Sequence, residues 1–413
     1  MEAFITTETL VIELLLIASL VAIAVRRLRI PYTVALVVVG LLITFQAPIE
    51  VHLTPELILA LLVPPLVFEA AFHINLSELR RGLPLILLLA VPGVILATLI
   101  VGMAVSLVTP LTLPLALVFG ALISATDPVA VVALFRALGA PPRLAVLVEG
   151  ESLLNDSTAI VVYNIVVVAA LTGSFSPVQG AIEFVKVAIG GLAVGLLLGW
   201  LVAQLIARID DYLIETTLTT VLAFGAYLIA ERLHFSGVLA VVAAGIVNGN
   251  IGPRGMSPTS RIVLFNFWEY LAFLANSFVF LLIGLQIDIT TLLQHWQSIA
   301  WAVVIVLLTR GLLTYGFGWL NNRFAEPIPR PWLHVINWGG LRGAIALALA
   351  LSLPAGLGAG SDEIRIMAFG VVLFTLLVQS TTMSPLMRRL RIVVRDPVQA
   401  RYELGRTRLL SFR

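Results

Sequence analysis

The sequence predicts an all-α membrane protein with about thirteen transmembrane helices. Of its 413 residues, 60% are hydrophobic and only 12% are charged, whereas about a quarter of the residues in a soluble domain are charged. Apolar runs of about 18 to 25 residues recur from end to end, and each is long enough to cross a hydrocarbon core of ~30 Å as a helix. The alternating segments of about ten residues that a transmembrane β-barrel requires do not occur. The lack of cysteine excludes disulfides and thiolate metal sites.

The N-terminal segment is predicted to be the first membrane helix, with its N-terminus outside. A secretory signal carries positive charge before its apolar core. Here Glu2 and Glu8 precede the core, and Arg26, Arg27 and Arg29 follow it. This order of charges argues against a cleaved signal and for a retained helix.

The charges in the loops support both the number of spans and their orientation. With the N-terminus outside, the loops after odd-numbered spans are cytoplasmic, and they carry nearly all the loop arginines. The opposite loops carry only Arg232 and, at a helix start, Arg365. Positive charge stays on the cytoplasmic side, so the C-terminus is expected there. The predicted domains are a membrane domain, 1–395, and a short cytoplasmic tail, 396–413. The predicted spans are residues 10–25, 31–45, 56–72, 83–108, 113–137, 144–171, 178–207, 212–230, 236–249, 262–285, 297–320, 332–353 and 364–386.

Thirteen spans can be two antiparallel six-helix units, spans 1–6 and 8–13, joined by a linker helix. The fifth span then corresponds to the twelfth, and both contain helix-disturbing sequence. The fifth has SATDPVA, in which Pro128 cannot donate to the carbonyl four residues back. The twelfth has NWGGLRGA, with three glycines around Arg342. Paired interruptions in matching halves indicate a transporter binding site, because broken helices expose carbonyls and helix ends at the bilayer midplane.

Four of the spans carry polar or charged side chains in the membrane interior. A charge at the membrane centre costs about 2.5 to 3.5 kcal/mol on insertion scales, so each one needs a partner or a function. A single buried aspartate is as often structural as functional, but carboxylates on three helices together with one arginine favour a site. The residues are Glu69 in the third span, Thr126 and Asp127 in the fifth, Glu149, Glu151, Ser152, Asn155 and Asp156 in the sixth, and Arg342 in the twelfth.

Helical spacing separates the residues of the sixth span. Ser152 and Asp156 are four residues apart and share a face, and Glu151 and Asn155 form a second such pair beside them. A carboxylate with a hydroxyl one turn away suits a hard cation, which prefers oxygen ligands, and the break in the fifth span can supply carbonyl oxygens. Asp156 is therefore predicted to be the anionic ligand of a cation site.

The remaining charged residues are predicted to be structural. Glu151 and Arg342 are expected to form a buried ion pair, since opposite charges neutralise each other when their other hydrogen bonds are met. Asp127 suits the N-terminus of the helix that follows the break. Arg310, in the middle of the eleventh span, is expected to face the bundle in a structural role. His73 is expected to be interfacial, with proton sensing as the alternative.

Six segments carry a resemblance to a known family. They are PPLVFEAAFHIN, SATDPVAVVALF, EGESLLNDSTAIVVY, LANSFVFLLIGLQI, NWGGLRGAIALALAL and LVQSTTMSPL. Together they resemble the motifs of monovalent cation/proton antiporters of the NhaP and NHE type. The segments are spread from about residue 60 to about residue 390, so the resemblance covers nearly the whole chain.

The resemblance implies a homodimer in the cell membrane, plasma or inner, with a role in pH homeostasis. Each protomer is expected to have a mobile core domain, with crossed and unwound fifth and twelfth spans, and a more fixed dimerisation domain. Asp127 belongs to the matching Thr-Asp-Pro motif, and Glu151 with Arg342 matches the stabilising ion pair of the family. The chain stops at Arg413, so the regulatory tail of many relatives is expected to be absent or removed.

By motif, the ion-binding carboxylate of the family falls on Asp156, with Ser152, Glu69 and the main chain at Thr126 as further ligands. Asn155 stands where electrogenic relatives have a second aspartate. An Asn-Asp pair is associated with electroneutral, one-for-one exchange. The full predicted ion-binding set is Asp156, Ser152, Glu69, Thr126, Asp127 and Asn155.

The predicted function is exchange of a monovalent cation for a proton by alternating access, with Asp156 binding cation or proton in competition. Na⁺ is the expected cation, and Li⁺ or K⁺ is left open. No cofactor and no nucleic-acid partner are expected. Two other classes are weaker. A cation channel typically shows a filter repeat or rings of charge. An intramembrane hydrolase needs a base beside Ser152, and neither histidine nor lysine accompanies it.

Overall fold

The computed structural model describes residues 2–28, 31–46, 58–174, 176–358 and 360–392. Within these ranges the regular structure is entirely helical. Three sequence predictions lie outside the described residues: the tail 396–413, the first residues of the third span, 56–57, and the position of Arg29.

The described residues of the first half of the chain form nine α-helices. A π-helical turn, Ile58–Leu62, leads into the third of them. The helices are α1 (Glu2–Leu28), α2 (Tyr32–Gln46), α3 (Val63–His73), α4 (Leu76–Ala90), α5 (Pro92–Val108), α6 (Leu113–Ser124), α7 (Val129–Leu138), α8 (Pro142–Thr172) and α9 (Pro177–Ile206).

The second half is also helical over its described residues. A π-helical segment, Thr375–Gln379, lies between the last two helices, and short 3₁₀ turns occur at Gly252–Arg254 and Ala355–Leu357. The helices are α10 (Tyr212–Arg232), α11 (Gly237–Ile251), α12 (Pro258–Gln286), α13 (Ile289–Gln294), α14 (Trp296–Phe324), α15 (Arg330–Trp338), α16 (Ala344–Leu351), α17 (Gly360–Phe374) and α18 (Ser380–Arg389).

The predicted class, an all-helical membrane fold, is confirmed. Over the described residues, every predicted span coincides with a helix or with helices that meet at a break. Eight helical stretches in the described part of the chain are long and apolar enough to cross a membrane, and four shorter apolar helices accompany them. The total of thirteen crossings and the inverted repeat stay predictions.

Polar side chains define where several helices begin. The Asn75 side chain accepts from the main-chain N–H groups of Ser77 and Glu78 at the start of α4, and Asp211 does the same for the first turn of α10. These caps satisfy donors that have no partner within a helix. Gly139, with φ 67°, ends α7 in the left-handed conformation that favours glycine.

Close helix contacts depend on small residues, as is common in membranes. A Cβ at Gly195 of α9 would overlap the carbonyl of Ala240 on α11. Gly40 of α2 and Gly284 of α12 face each other, and a Cβ on Gly40 would lie 2.9 Å from the Gly284 Cα. Apolar burial between lipid-covered helices adds little, so this close backbone approach is a main source of packing.

Two of the predicted spans are interrupted. The fifth span breaks between α6 and α7, over residues 125–128, and the twelfth breaks between α15 and α16, over 339–343. The prediction that both spans are broken is confirmed. The two breaks meet, because the main-chain N–H of Asp127 donates to the carbonyl of Leu341 at 2.8 Å.

Candidate functional site

Arg342 ties the two breaks together. Its Nη1 donates to the carbonyl oxygens of Ser124, at 2.6 Å, and Ala125, at 3.0 Å. Its own main-chain N–H donates to Thr375 Oγ1 at 3.1 Å. The last carbonyls of a helix lack partners and carry partial negative charge, so a guanidinium is a favourable ligand for the end of α6.

Asp127 lies in the break just before α7. Its Oδ1 accepts from the main-chain N–H of Val129 at 3.0 Å, so its negative charge lies at the N-terminus of that helix. On the other side its carboxylate packs on Gly343, where a Cβ would overlap it. Glycine at position 343 is therefore required for the close approach of the two breaks.

Asp156 lies in the middle of α8 with three of its predicted neighbours. The Asp156 residue is 9% exposed, and Ser152 and Asn155 are each 2% exposed. Ser152 Oγ donates to the carbonyl oxygen of Thr126 and lies 3.5 Å from Asp156 Oδ2. Asn155 Nδ2 donates to Thr126 Oγ1 at 3.3 Å. A carboxylate, a hydroxyl and a freed main-chain carbonyl thus converge at the break of the fifth span.

This set of oxygen atoms differs from a transition-metal site. Among the described residues no group of three or more His, Cys, Asp or Glu side chains could hold a metal ion. Around Asp156 the additional oxygens come from Ser152 and Thr126. Carboxylate, hydroxyl and carbonyl oxygens are the ligands that hard cations prefer.

Glu69 belongs to a separate group of charges. His73 Nδ1 lies 3.2 Å from Glu69 Oε1, and Arg136 Nη2 lies 3.8 Å from the same oxygen and 3.9 Å from Glu149 Oε1. Glu149 precedes Asp156 by seven residues, which is about 10 Å along an α-helix. No polar contact between described residues joins Glu69 to Asp156.

The sequence arguments missed two members of these groups. Arg136 lies in a predicted cytoplasmic loop, where the sequence assigns it no role beyond the positive charge of that loop, although it bridges Glu69 and Glu149. Thr375, which accepts from the Arg342 main chain, lies in a π-helical segment, and no sequence pattern predicts such a segment. The four-residue spacing of Glu69 and His73 was the usable signal for their contact.

The predicted ion pair between Glu151 and Arg342 is wrong. Glu151 instead pairs with Arg310, whose Nη1 and Nη2 contact the two carboxylate oxygens, the second at 2.9 Å. Arg310 Nη2 also donates to the Ile336 carbonyl at 3.0 Å. The fork of the guanidinium matches a carboxylate, and the Arg342 guanidinium is already engaged by the end of α6. Arg310 thus has the bundle-facing, structural role expected of it.

One larger cavity is lined partly by α8, and another is lined by the end of α3. A cavity of about 930 Å³ is lined by Ile160 and Tyr163 of α8, one to two turns beyond Asp156, and by Glu231 of α10. A second cavity, of about 440 Å³, is lined by His73 and Arg261. His73 is the residue that contacts Glu69, so the second cavity adjoins the Glu69 group.

The chain is similar to known proteins over nearly its whole length. Residues 14–389 match the family described as "Sodium/hydrogen exchanger, transmembrane". The chain is 43% identical over 368 residues to the Na(+)/H(+) antiporter ApNhaP of Aphanothece halophytica, covering 88% of this chain and 70% of that protein. It is 38% identical over 399 residues to the Na(+)/H(+) antiporter NhaH of Halobacillus dabanensis, covering 92% and 98%.

A solved structure shares the fold. The sodium proton antiporter MjNhaP1 from Methanocaldococcus jannaschii matches with a TM-score of 0.77 and 22% sequence identity. The match covers 94% of this chain and 99% of that one. At this identity the likeness concerns the fold alone.

Proposed function

The chain belongs to the sodium/hydrogen exchanger family, and on that premise we propose that it carries Na⁺ and H⁺ in opposite directions across the membrane, with Asp156 binding either ion. Its relatives are transporters rather than enzymes, and it is a transporter too. The names of the relatives support Na⁺ as the cation. The exchange requires no resident cofactor.

The observation that carries the proposal is the position of Ser152. The hydroxyl has one proton and donates it to the Thr126 carbonyl, so it cannot also donate to the carboxylate. Ser152 Oγ nevertheless faces Asp156 Oδ2 at 3.5 Å, which is too long for a normal O–H···O hydrogen bond. Two facing acceptors are held together by a cation between them, or by a proton on the carboxylate once the two oxygens move to hydrogen-bonding distance. The same pair of oxygens therefore suits both ions in competition.

Neutralisation of Asp156 determines when the core domain moves. An ionised carboxylate without a counterion is costly to carry through an apolar barrier, so the core domain moves when either H⁺ or Na⁺ is bound. The movement is a rigid-body shift of one bundle against the other, which exposes the site to each side in turn. The cavity that begins near Ile160 supports this scheme, because it reaches α8 about one turn beyond Asp156, and the cavity beside His73 adjoins the Glu69 group.

The remaining assignments complete the proposal. The N-terminus lies outside and the C-terminus in the cytoplasm of the cell membrane, and two copies form a dimer through the fixed domain. Asp127 holds the break beside the site rather than the ion directly. Glu69 lies in its own group with His73 and Arg136, which supports a place on the ion route; direct ligation of the ion by Glu69 would require movement of the core.

Asp156→Asn tests the proposal. Reconstituted into proteoliposomes, the variant is expected to lose Na⁺-dependent proton flux, because a neutral amide can neither release a proton nor bind Na⁺ by charge. Asp362→Asn is the matched control: its carboxylate is 74% exposed and contacts Arg365 at 3.1 Å on the surface, so exchange should be unchanged. Undiminished exchange in Asp156→Asn would overturn the assignment.

Electroneutral exchange is a separate prediction that depends on Asn155. Because this side chain is uncharged, one carboxylate trades one proton for one Na⁺ and no net charge crosses the membrane. A membrane potential imposed across proteoliposomes at equal pH is therefore expected to drive no ²²Na⁺ uptake, whereas a pH gradient should drive it. Uptake driven by the potential, and absent in Asp156→Asn, would contradict one-for-one exchange.

A further inference from the structure

A small cavity lies beside the site on the side of Asn155. The centre of a water-sized sphere can move through about 20 Å³ in it. A cavity needs roughly 10 to 15 Å³ by this measure to hold one water molecule, so this one has room for a water but for no larger solute. Its polar lining comes from Ser124, Asn155, Thr309, Arg310 and Arg342.

Three of these side chains each have one buried polar atom without a partner among the described residues: Asn155 Oδ1, Arg310 Nε and Arg342 Nε. The residues are only 2%, 9% and 4% exposed, respectively. Other polar atoms of each side chain are engaged, by Thr126, by Glu151 and by the end of α6. Buried polar groups are almost always hydrogen-bonded, to protein or to ordered water.

We propose that this cavity is the binding site of one ordered water molecule that joins Asn155 to both arginines. Two Nε–H groups are donors and Asn155 Oδ1 is an acceptor, which matches the two lone pairs and one of the two hydrogens of a water. Buried waters typically make about three hydrogen bonds of this kind. A halide would suit the arginines but has no proton to donate to Asn155 Oδ1.

The water makes Asn155 a positioning residue. With Oδ1 held by the water, the amide presents Nδ2 to Thr126 Oγ1, and Thr126 in turn supplies the carbonyl that accepts from Ser152. The chain of contacts runs from the two arginines to the oxygens beside Asp156. The water site itself does not depend on the proposed exchange, but its effect on cation affinity does.

A high-resolution structure tests the site. The protein is crystallised in NaCl and in NaBr, and anomalous data are collected at the bromine edge. We expect a peak within hydrogen-bonding distance of Asn155 Oδ1, Arg310 Nε and Arg342 Nε, with no bromide signal. An anomalous peak at this position would mean that the cavity holds an anion instead of water, which would overturn the proposal. The lack of any peak, or a peak that does not reach Asn155, would overturn the proposal.

A cavity-filling variant tests the consequence for the ion. Ala97 lines the cavity from its apolar side, so Ala97→Leu is expected to displace the water. Loss of a partner for a buried polar group should raise the Na⁺ concentration for half-maximal exchange about fivefold, with little change in maximal rate. Ala104→Leu is the matched control, because Ala104 is also half-buried on α5 and lies outside the cavity lining.

The crystal structure and the Ala97 variant together distinguish a failure of the water site from a failure of the proposed function. If Ala97→Leu is unstable, Ala97→Val fills less volume and serves in its place. A variant that lacks the water but keeps the parent Na⁺ dependence would overturn the positioning role. A water peak in a protein whose exchange survives Asp156→Asn would leave the site standing and remove the proposed function.

Discussion

Glu151 and Asp156 lie five residues apart on α8, and both are buried, at 3% and 9% exposure. Their partners differ. Glu151 receives both arms of the Arg310 guanidinium, whereas the contacts of Asp156 are with Ser152 and not with an arginine fork. A guanidinium is always charged and pairs with its carboxylate in a fixed geometry, whereas a carboxylate without such a fork can be neutralised by either a proton or a cation. The partner, rather than the depth of burial, separates a structural carboxylate from one suited to transport.

Arg310→Met is expected to have the largest effect on stability. It leaves the Glu151 carboxylate buried without its counterion, which costs about 3 to 5 kcal/mol. Thermal unfolding of the purified protein in detergent measures the loss. The double variant Arg310→Met/Glu151→Leu should recover most of it, because no uncompensated charge remains.

Asp156→Asn is the matched comparison on the same helix. It removes a carboxylate that has no arginine fork, and Arg342 keeps its hydrogen bonds to the carbonyls of Ser124 and Ala125, so the melting temperature should stay close to that of the parent while exchange is lost. Equal destabilisation by Asp156→Asn and Arg310→Met would mean that the two carboxylates do not differ in the way their contacts indicate.

Gly343→Ala tests the contact between the two breaks, which positions the Thr126 carbonyl beside Asp156. A Cβ at position 343 overlaps the Asp127 carboxylate, so the two breaks must move apart, and the Thr126 carbonyl moves with them. We expect a loss of about 1 to 3 kcal/mol in stability together with a clear fall in exchange rate. Gly316→Ala in α14 is the control, because a Cβ there meets nothing within 4 Å; it should be neutral or stabilising by up to ~1 kcal/mol. Equal activity in both variants would show that the close approach at Gly343 is dispensable.

Local spacing predicted the Asp156 side of this comparison, and it failed on the Glu151 side for a physical reason. Ser152 and Asp156 are neighbours because a helix has about 3.6 residues per turn, and Pro128 predicts the break that supplies the Thr126 carbonyl. The partner of Glu151 depends on how far α8 and α14 are shifted along their axes and rotated relative to each other. The periodicity of either helix alone does not determine this. Both Arg310 and Arg342 satisfied the requirement for a buried positive charge.

A rule that assigns donors to broken helices would have separated the two arginines. The end of α6 leaves carbonyls without partners, and Arg342 lies in the matching break of the twelfth span, where it donates to Ser124 and Ala125. Arg310 is then the arginine left for Glu151.

The contacts of Glu69 are likewise only partly predictable from local spacing. Its contact with His73 follows from helical spacing, but its contact with Arg136 depends on a packing that the sequence does not encode locally.

Asp288 is a third carboxylate, exposed and held by hydroxyls, and it is expected to give the smallest effect. It caps α13: Oδ1 accepts from Thr290 Oγ1 at 2.6 Å and Oδ2 from Thr291 Oγ1 at 2.6 Å, and these hydrogen bonds lower the pKa of Asp288 to about 2. Because the folded pKa lies below the ordinary value of about 4, the stabilisation is complete above that value and is lost only as the pH falls through about 2. Asp288→Ala should therefore cost about 1 kcal/mol or less in thermal unfolding, equally at roughly pH 6 and pH 8. The pH profile of exchange should be unchanged, and a shifted profile would mean that a carboxylate ionised throughout this range can set the proton dependence attributed to Asp156.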